Sequence, residues 1–182
     1  MQKLSMDQLQ RPSVEAFKVQ AKLPVTLVLD NVRSMHNVGS AFRTSDAFAL
    51  ERIVLCGITG TPPHREIEKT ALGATQSVAW LHAADTAQAV QQLREEGYRI
   101  LAVEQAQGST PLQLFAPAVG QKYALVFGNE VHGVADDVMG LVDACIEIPQ
   151  SGTKHSLNIA VSIGIVLWDF YTKLHLRVTD SL

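Results

Sequence analysis

The sequence predicts an α/β domain in which a mostly parallel sheet is flanked by helices. Three observations lead there. Short runs of β-branched and aliphatic residues recur along the chain, segments with helical periodicity separate them, and 182 residues suit one domain with a buried core. A strand that pairs in parallel with its predecessor needs a crossover of a dozen or more residues, usually a helix. Regular alternation of strand and helix therefore implies a sheet covered on both faces.

The elements follow in order. Residues 1–23 form a short, slightly basic extension in which Lys3, Arg11, Lys18 and Lys22 outnumber Asp7 and Glu15, and Ser13-Val-Glu-Ala-Phe has the form of a helix start. The domain proper occupies residues 24–182. Strands are expected over Val25–Leu29, Arg52–Leu55, Arg99–Val103, Ala124–Phe127 and Ala144–Ile148, with Val78–Leu81 as a sixth. Helices are expected over Asn37–Leu50, Thr86–Glu96 and Ser156–Leu174; in the second, Ala89, Val90 and Leu93 share one face. The last has Trp168, Phe170 and Tyr171 near its end and carries more apolar surface than one sheet face needs.

Composition removes several classes. Apolar residues make up 47% of the chain and charged ones 18%, with a mean hydropathy of +0.10, so a packed core is expected rather than disorder. Cys56 and Cys145 lie far apart with no Cys or His at ligand spacing, which argues for reduced thiols and against a metal site or a disulfide. Residues 1–22 lack the apolar stretch of a signal peptide, and a cytoplasmic location is expected. Leu157–Trp168 is interrupted by Asn158 and Ser162 and is shorter than the roughly 20 residues of a spanning helix, so no membrane segment is expected. A net charge of −3 and a pI near 6.0 are not the basic balance of a strong nonspecific nucleic-acid binder. There is no G-x-G-x-x-G turn, no phosphate-binding loop ending in G-K-[ST] and no G-x-S-x-G elbow, so dinucleotide oxidoreductases, P-loop enzymes and α/β-hydrolases lose support.

Ligands of parallel α/β sheets gather where strands end in loops, and three such loops are unusual. In the first, Asn37 and Gly39 open a helix with Arg43 about two turns in; the amides and Arg43 suit a phosphate, or Asn37 caps the helix and Arg43 pairs with a carboxylate. The second, Phe127-Gly-Asn-Glu-Val-His-Gly, brackets Asn129, Glu130 and His132 between glycines that allow close backbone approach; alternatively it is a solvated turn. The third, Ile148-Pro-Gln-Ser-Gly-Thr-Lys-His-Ser-Leu-Asn, runs into the apolar helix. There Ser156 is a candidate cap, and Asn158 is an amide that needs partners if buried.

In this order the loops resemble the motifs of the SpoU/TrmH family of RNA 2′-O-methyltransferases, in the knotted SPOUT class. Asn37-x-Gly39-x-x-x-Arg43 is similar to the first motif, Phe127-Gly-Asn-Glu130-x-x-Gly133 to the second and Ile148-Pro…Ser156-Leu-Asn158-x-Ala-x-Ser162 to the third, and Ala71-Leu-Gly-Ala is also familiar. The resemblance spans about Pro24 to Leu174. It implies a C-terminal trefoil knot, in which Gln150–His155 passes through an earlier loop, and a homodimer. It implies S-adenosylmethionine as cofactor, held near Phe127, Gly128, Ile148 and Leu157, with no metal. It also implies methyl transfer to a ribose 2′-hydroxyl at a site formed by Arg43, Asn37, Glu130, Ser156 and Asn158. Arginine ordinarily holds its proton, so Arg43 keeps two roles: a base after strong local perturbation, or the holder of an adjacent phosphate. The implied partner is RNA, tRNA ahead of rRNA, met by a local basic patch from Arg33, Arg43, Arg65, Lys69 and Lys154. A noncatalytic RNA-binding or assembly protein of the same fold is the alternative.

Overall fold

Strand and helix alternate as expected in the computed structural model, which describes residues 2–176 other than Met6 and Gln10. Seven strands, β1 (Leu23–Asp30), β2 (Leu50–Cys56), β3 (Trp80–Ala83), β4 (Tyr98–Val103), β5 (Thr110–Pro111), β6 (Lys122–Phe127) and β7 (Ala144–Glu147), form one sheet in the order β3-β2-β1-β6-β4-β7-β5. Every pairing is parallel. β1 lies between β2 and β6, with Val28 opposite both Val54 and Val126, and every residue from Val25 to Asp30 is buried. The apolar run Leu27–Leu29 suits a strand covered on both faces: Leu27 and Leu29 pack into one core cluster and Val28 into the other.

The first cluster is closed by α1 (Val14–Val19), α2 (Met35–Ala47), α3 (Arg65–Ala71) and α7 (Ile159–Tyr171), through Phe17, Phe42, Ile67, Ile163, Leu167 and Phe170. The N-terminal helix thus shares the main core. The opposite face is covered by α5 (Thr86–Glu95) and the short α6 (Asp136–Met139), through Ala89, Val90, Leu93 and Val138. Four residues, Ala74–Ser77, form α4. No helix among the described residues is long and apolar enough to cross a membrane.

Several boundaries move for local reasons. α2 starts at Met35, because the hydroxyl of Ser34, not the side chain of Asn37, accepts the N–H of Asn37 (3.3 Å) as the cap. It ends at Ala47, since Ala49 turns to φ +50° and Leu50 already belongs to β2. α7 starts at Ile159 with Asn158 as its cap, so Ser156 lies outside the helix. Beyond Tyr171 the chain continues as a π turn, Thr172–Leu176. The sixth strand is shifted to Trp80–Ala83 because α4 occupies the preceding residues and Val78 caps it. Gly39 has a packing role: a Cβ there would fall on the Thr70 hydroxyl and the Ile67 carbonyl of α3.

The carboxyl end of β1 is pinned by a buried carboxylate. Asp30 accepts hydrogen bonds from the Thr86 hydroxyl (2.6 Å), the Asn31 amide (2.8 Å) and the Ala135 N–H (3.0 Å), which joins β1 to the start of α5 and to the loop after β6. Cys56, buried beside it, is pushed up to about 12 by desolvation, and burial also raises half-buried Cys145, so both remain thiols at neutral pH.

Candidate functional site

The loops that follow β4, β6 and β7 surround one cleft of about 760 Å³ at the carboxyl edge of the sheet. Val103, Phe127, Ile148 and Leu157 give it apolar walls, while Gly128, Ser156 and Asn158 border it with polar backbone or side-chain groups. All four residues expected to hold the cofactor therefore meet at this cleft.

The loop after β6 is a tight hairpin. Asn129 and Gly133 exchange backbone hydrogen bonds, both 2.9 Å, and Gly133 turns at φ +70°. A Cβ at Gly128 would land on the backbone of Gly133 and Val134, so only glycine lets the two arms cross. Inside the turn, Asn129 Oδ1 accepts the N–H of Val131 (2.8 Å) and of His132 (3.3 Å), and Nδ2 donates to the Asn31 carbonyl (2.9 Å). Glu104, just after β4, accepts the Val134 N–H (3.3 Å). His132 is exposed at the rim.

Glu130 leaves this hairpin toward the start of α2. Its carboxylate accepts the N–H of Arg33 (3.2 Å), the N–H of Ser34 (3.3 Å) and the Asn37 amide (3.1 Å). Partial desolvation would raise its pKa, but the backbone N–H groups of Glu130 itself, Arg33 and Ser34, together with the Asn37 side chain, outweigh it, and the carboxyl titrates below its ordinary value. Asn37 Oδ1 in turn accepts from Asn158 Nδ2 (3.3 Å). Asn158 also caps α7 by accepting the Ala160 N–H (2.9 Å). This amide is exposed rather than buried, and it finds its partners in the cap and in Asn37. One residue from each unusual loop thus joins a single hydrogen-bonded chain, Glu130–Asn37–Asn158, beside the cleft.

Ser156 and Leu157 line the cleft, and Lys154 stands exposed in the same loop. The side chain of Gln105 reaches across to the His155 carbonyl (2.7 Å) and ties the loop after β4 to the one after β7. Arg43 is placed elsewhere. It is exposed on α2, has no hydrogen bond or ion pair among the described residues, and borders a second groove of about 1120 Å³ between α1, the end of α2 and Tyr171. Arg33 is exposed at the entry to α2. Arg65 and Lys69 stand one turn apart on α3, both exposed, with Arg65 Nε 3.9 Å from Glu66.

Sequence reasoning missed Ser34, Asp30 and the two carboxylates Glu104 and Glu147 at the ends of β4 and β7. The signal for the last two was present, because each stands where a parallel strand ends, as Glu130 nearly does.

With this geometry in hand, comparison with known proteins is specific. The model of the SpoU rRNA Methylase family matches residues 24–168. The chain is 27% identical over 162 residues to the 23S rRNA (guanosine-2′-O-)-methyltransferase of Vibrio parahaemolyticus, covering 89% of this chain and 64% of that one. It spans 61% to 66% of the length of several such relatives. The AdoMet-bound rRNA methyltransferase from Sinorhizobium meliloti superposes with a TM-score of 0.75 at 27% identity, over 82% of this chain and 59% of that one. The A. aeolicus TrmH/SpoU tRNA modifying enzyme shares the fold at a TM-score of 0.79 and 24% identity, over 92% of this chain and 83% of that one. The three motif loops, joined through Glu130, Asn37 and Asn158, and a family match over most of the chain lead to the same conclusion: this chain belongs to the SpoU rRNA methylase family.

Proposed function

We propose that the protein is an S-adenosylmethionine-dependent RNA methyltransferase that methylates a ribose 2′-hydroxyl. The observation that carries the reading is the Glu130–Asn37–Asn158 chain beside a cleft bordered by Phe127, Gly128, Ile148 and Leu157. The cleft fits the cofactor. Its volume lies within the ~300–1,000 Å³ of small-molecule sites, its walls accept an apolar adenine face, and the carboxylates of Glu104 and Glu147 complement a cationic ligand.

S-adenosylmethionine, bound there, supplies an electrophilic methyl group, and S-adenosylhomocysteine remains after transfer. The chain's own work is positioning, which fixes nucleophile, methyl carbon and sulfur in line. Glu130 holds the start of α2 and the Asn37 amide, and Asn158 carries that order to the mouth of α7. Ser156 offers a hydroxyl at the same border. As the oxygen–carbon bond forms, the ribose hydroxyl proton leaves to solvent or to a base. Arg43 is assigned to the RNA side, as holder of the adjacent phosphate or as activator of the hydroxyl.

Because Arg43 borders a different groove in one chain, this reading needs a second copy to bring it to the cleft. The exposed stripe Val161, Ile165 and Trp168 along α7 supports a homodimer. The trefoil crossing of residues 150–155 belongs to the same reading, and the Gln105–His155 bond ties that segment to the loop after β4. We assign the enzyme to the cytoplasm and to structured tRNA, with Arg33, Arg65, Lys69 and Lys154 beside Arg43 as RNA contacts. The 23S rRNA activity named for the Vibrio relative keeps rRNA as the second substrate class.

The test is incubation with methyl-labelled cofactor and total RNA, followed by fractionation and nucleoside mapping. Label on ribose oxygens in the tRNA fraction is expected. Label confined to rRNA replaces the substrate, label on bases overturns the reaction, and no label in any RNA supports a noncatalytic RNA-binding role.

A further inference from the structure

The charge of the cofactor cleft is one-sided. Glu104, Glu130, Asp136 and Glu147 border it, no lysine or arginine does so among the described residues, and the remaining titratable neighbours are His132 and His155. Glu130 is engaged with α2, and Glu104 accepts the Val134 and Gln105 N–H groups. The side chain of Glu147, half-buried at the end of β7, has no hydrogen bond or ion pair among the described residues, and neither has the exposed side chain of Asp136. The fields of Glu104 and Glu147 converge near Cys145: its thiol is raised first by burial, is lowered by its hydrogen bond to the Glu104 carbonyl, and is raised further by both carboxylates. Uncompensated negative charge is the wrong lining for a polyanion. It suits a ligand that is cationic only before the reaction.

We propose that Glu147, with Glu104 and Asp136, makes the cleft selective for the positively charged methyl donor over its neutral demethylated product, so that methyl transfer itself loosens the cleft's hold on what it leaves behind. The inference rests on the cofactor reading above. It deepens that reading by assigning specificity to carboxylates outside the three motifs. The charge balance is simple. The sulfonium becomes a thioether when its methyl–sulfur bond breaks, the ribose oxygen gains the methyl, and the displaced proton leaves to solvent. The cofactor thus loses one positive charge while the wall keeps its negative ones.

The test is calorimetric binding of S-adenosylmethionine, S-adenosylhomocysteine and sinefungin, whose amine replaces the sulfonium as a cation, to the full chain at low and high salt. Both cationic ligands are expected to bind more tightly than S-adenosylhomocysteine, with the gap narrowing as salt rises. Glu147→Gln should reduce the affinity ratio of S-adenosylmethionine to S-adenosylhomocysteine by about threefold, and Glu147→Asp should keep most of it. Glu95→Gln, on the exposed face of α5, should leave the ratio alone. Thermal unfolding of each variant confirms that the fold is intact. A ratio unmoved by both Glu147→Gln and salt overturns the inference while the cofactor reading stands. Failure of the wild-type protein to bind any of the three ligands overturns the reading, and the inference with it.

Discussion

Glu130→Gln isolates the link between the hairpin after β6 and the start of α2. The wild-type carboxylate accepts the Arg33 and Ser34 N–H groups at 3.2 and 3.3 Å and the Asn37 amide at 3.1 Å. Glutamine keeps one oxygen and turns an NH₂ toward at least one of these donors. Hydrogen bonds to a charged group contribute roughly 1.5–3 kcal/mol each when buried, but Glu130 is exposed, so solvent screening reduces the expected net loss to about 1 kcal/mol. For a chain of this length that lowers Tm by about 2–4 °C. The pH dependence has a definite sign. The folded pKa of Glu130 lies below its ordinary 4.5, so its stabilisation is complete above that value and is lost as pH falls through the folded pKa. Urea unfolding of both proteins near neutral pH and again well below pH 4.5 is the assay. The difference should be present at neutral pH and shrink in acid, because the variant has no carboxyl to protonate. Equal stability at neutral pH, or a difference that persists undiminished in acid, would refute the reasoning.

Asn158→Ala removes the cap of α7 and the bond to Asn37 together, and should cost about 1 kcal/mol in denaturant unfolding while abolishing most methyl transfer. Gly128→Ala drives a methyl group into the Gly133–Val134 backbone and should destabilise the protein by about 1–3 kcal/mol, with weakened cofactor binding by calorimetry as the more direct readout. Arg43→Ala should leave Tm and cofactor affinity unchanged, because its side chain has no hydrogen bond or ion pair among the described residues and lies away from the cleft, yet abolish most methyl transfer. Wild-type rates at limiting and saturating RNA would remove Arg43 from the mechanism. Val161→Glu, in the exposed stripe of α7, should convert a dimer to a monomer in analytical ultracentrifugation.

The sheet was legible because burial on both faces writes itself into sequence as nearly continuous apolar runs, as at Val25–Leu29, where Thr26 is the one polar residue. β3 was harder to place, since it pairs only with β2 at the sheet edge and Leu81 and His82 are exposed, which leaves little pattern to mark its register. α3 and α4 were missed for a related reason. Both are short, and the left-handed turn at Leu72 (φ +50°) and Gly73 (φ +90°) divides them. Helix starts were misassigned by two or three residues because several side chains near each start can cap. Ser34 and Asn37 both qualify for α2, Ser156 and Asn158 both qualify for α7, and only the backbone path decides.

The site was legible loop by loop but not as an arrangement, and helix geometry gives the reason. Asn37, Gly39 and Arg43 form one motif on one helix, yet at roughly 100° per residue Gly39 points about 160° and Arg43 about 120° away from Asn37, both in the same direction and only about 40° from each other. Asn37 is therefore turned away from the other two. Asn37 turns to Glu130 and Asn158 at the cleft, Gly39 lets α3 approach, and Arg43 faces the second groove. Adjacency in a motif records a shared helix rather than a shared site. If Arg43 acts on the RNA, the site it serves is completed from outside its own chain. Two variants that are each inactive, Arg43→Ala and Asn158→Ala, then supply the decisive measurement. Mixed and refolded together, they should recover about a quarter of wild-type activity per subunit, because half the chains enter heterodimers and each heterodimer holds one intact site of its two. Two inactive variants that stay inactive in the mixture would place Arg43 and Asn158 in the same subunit's site.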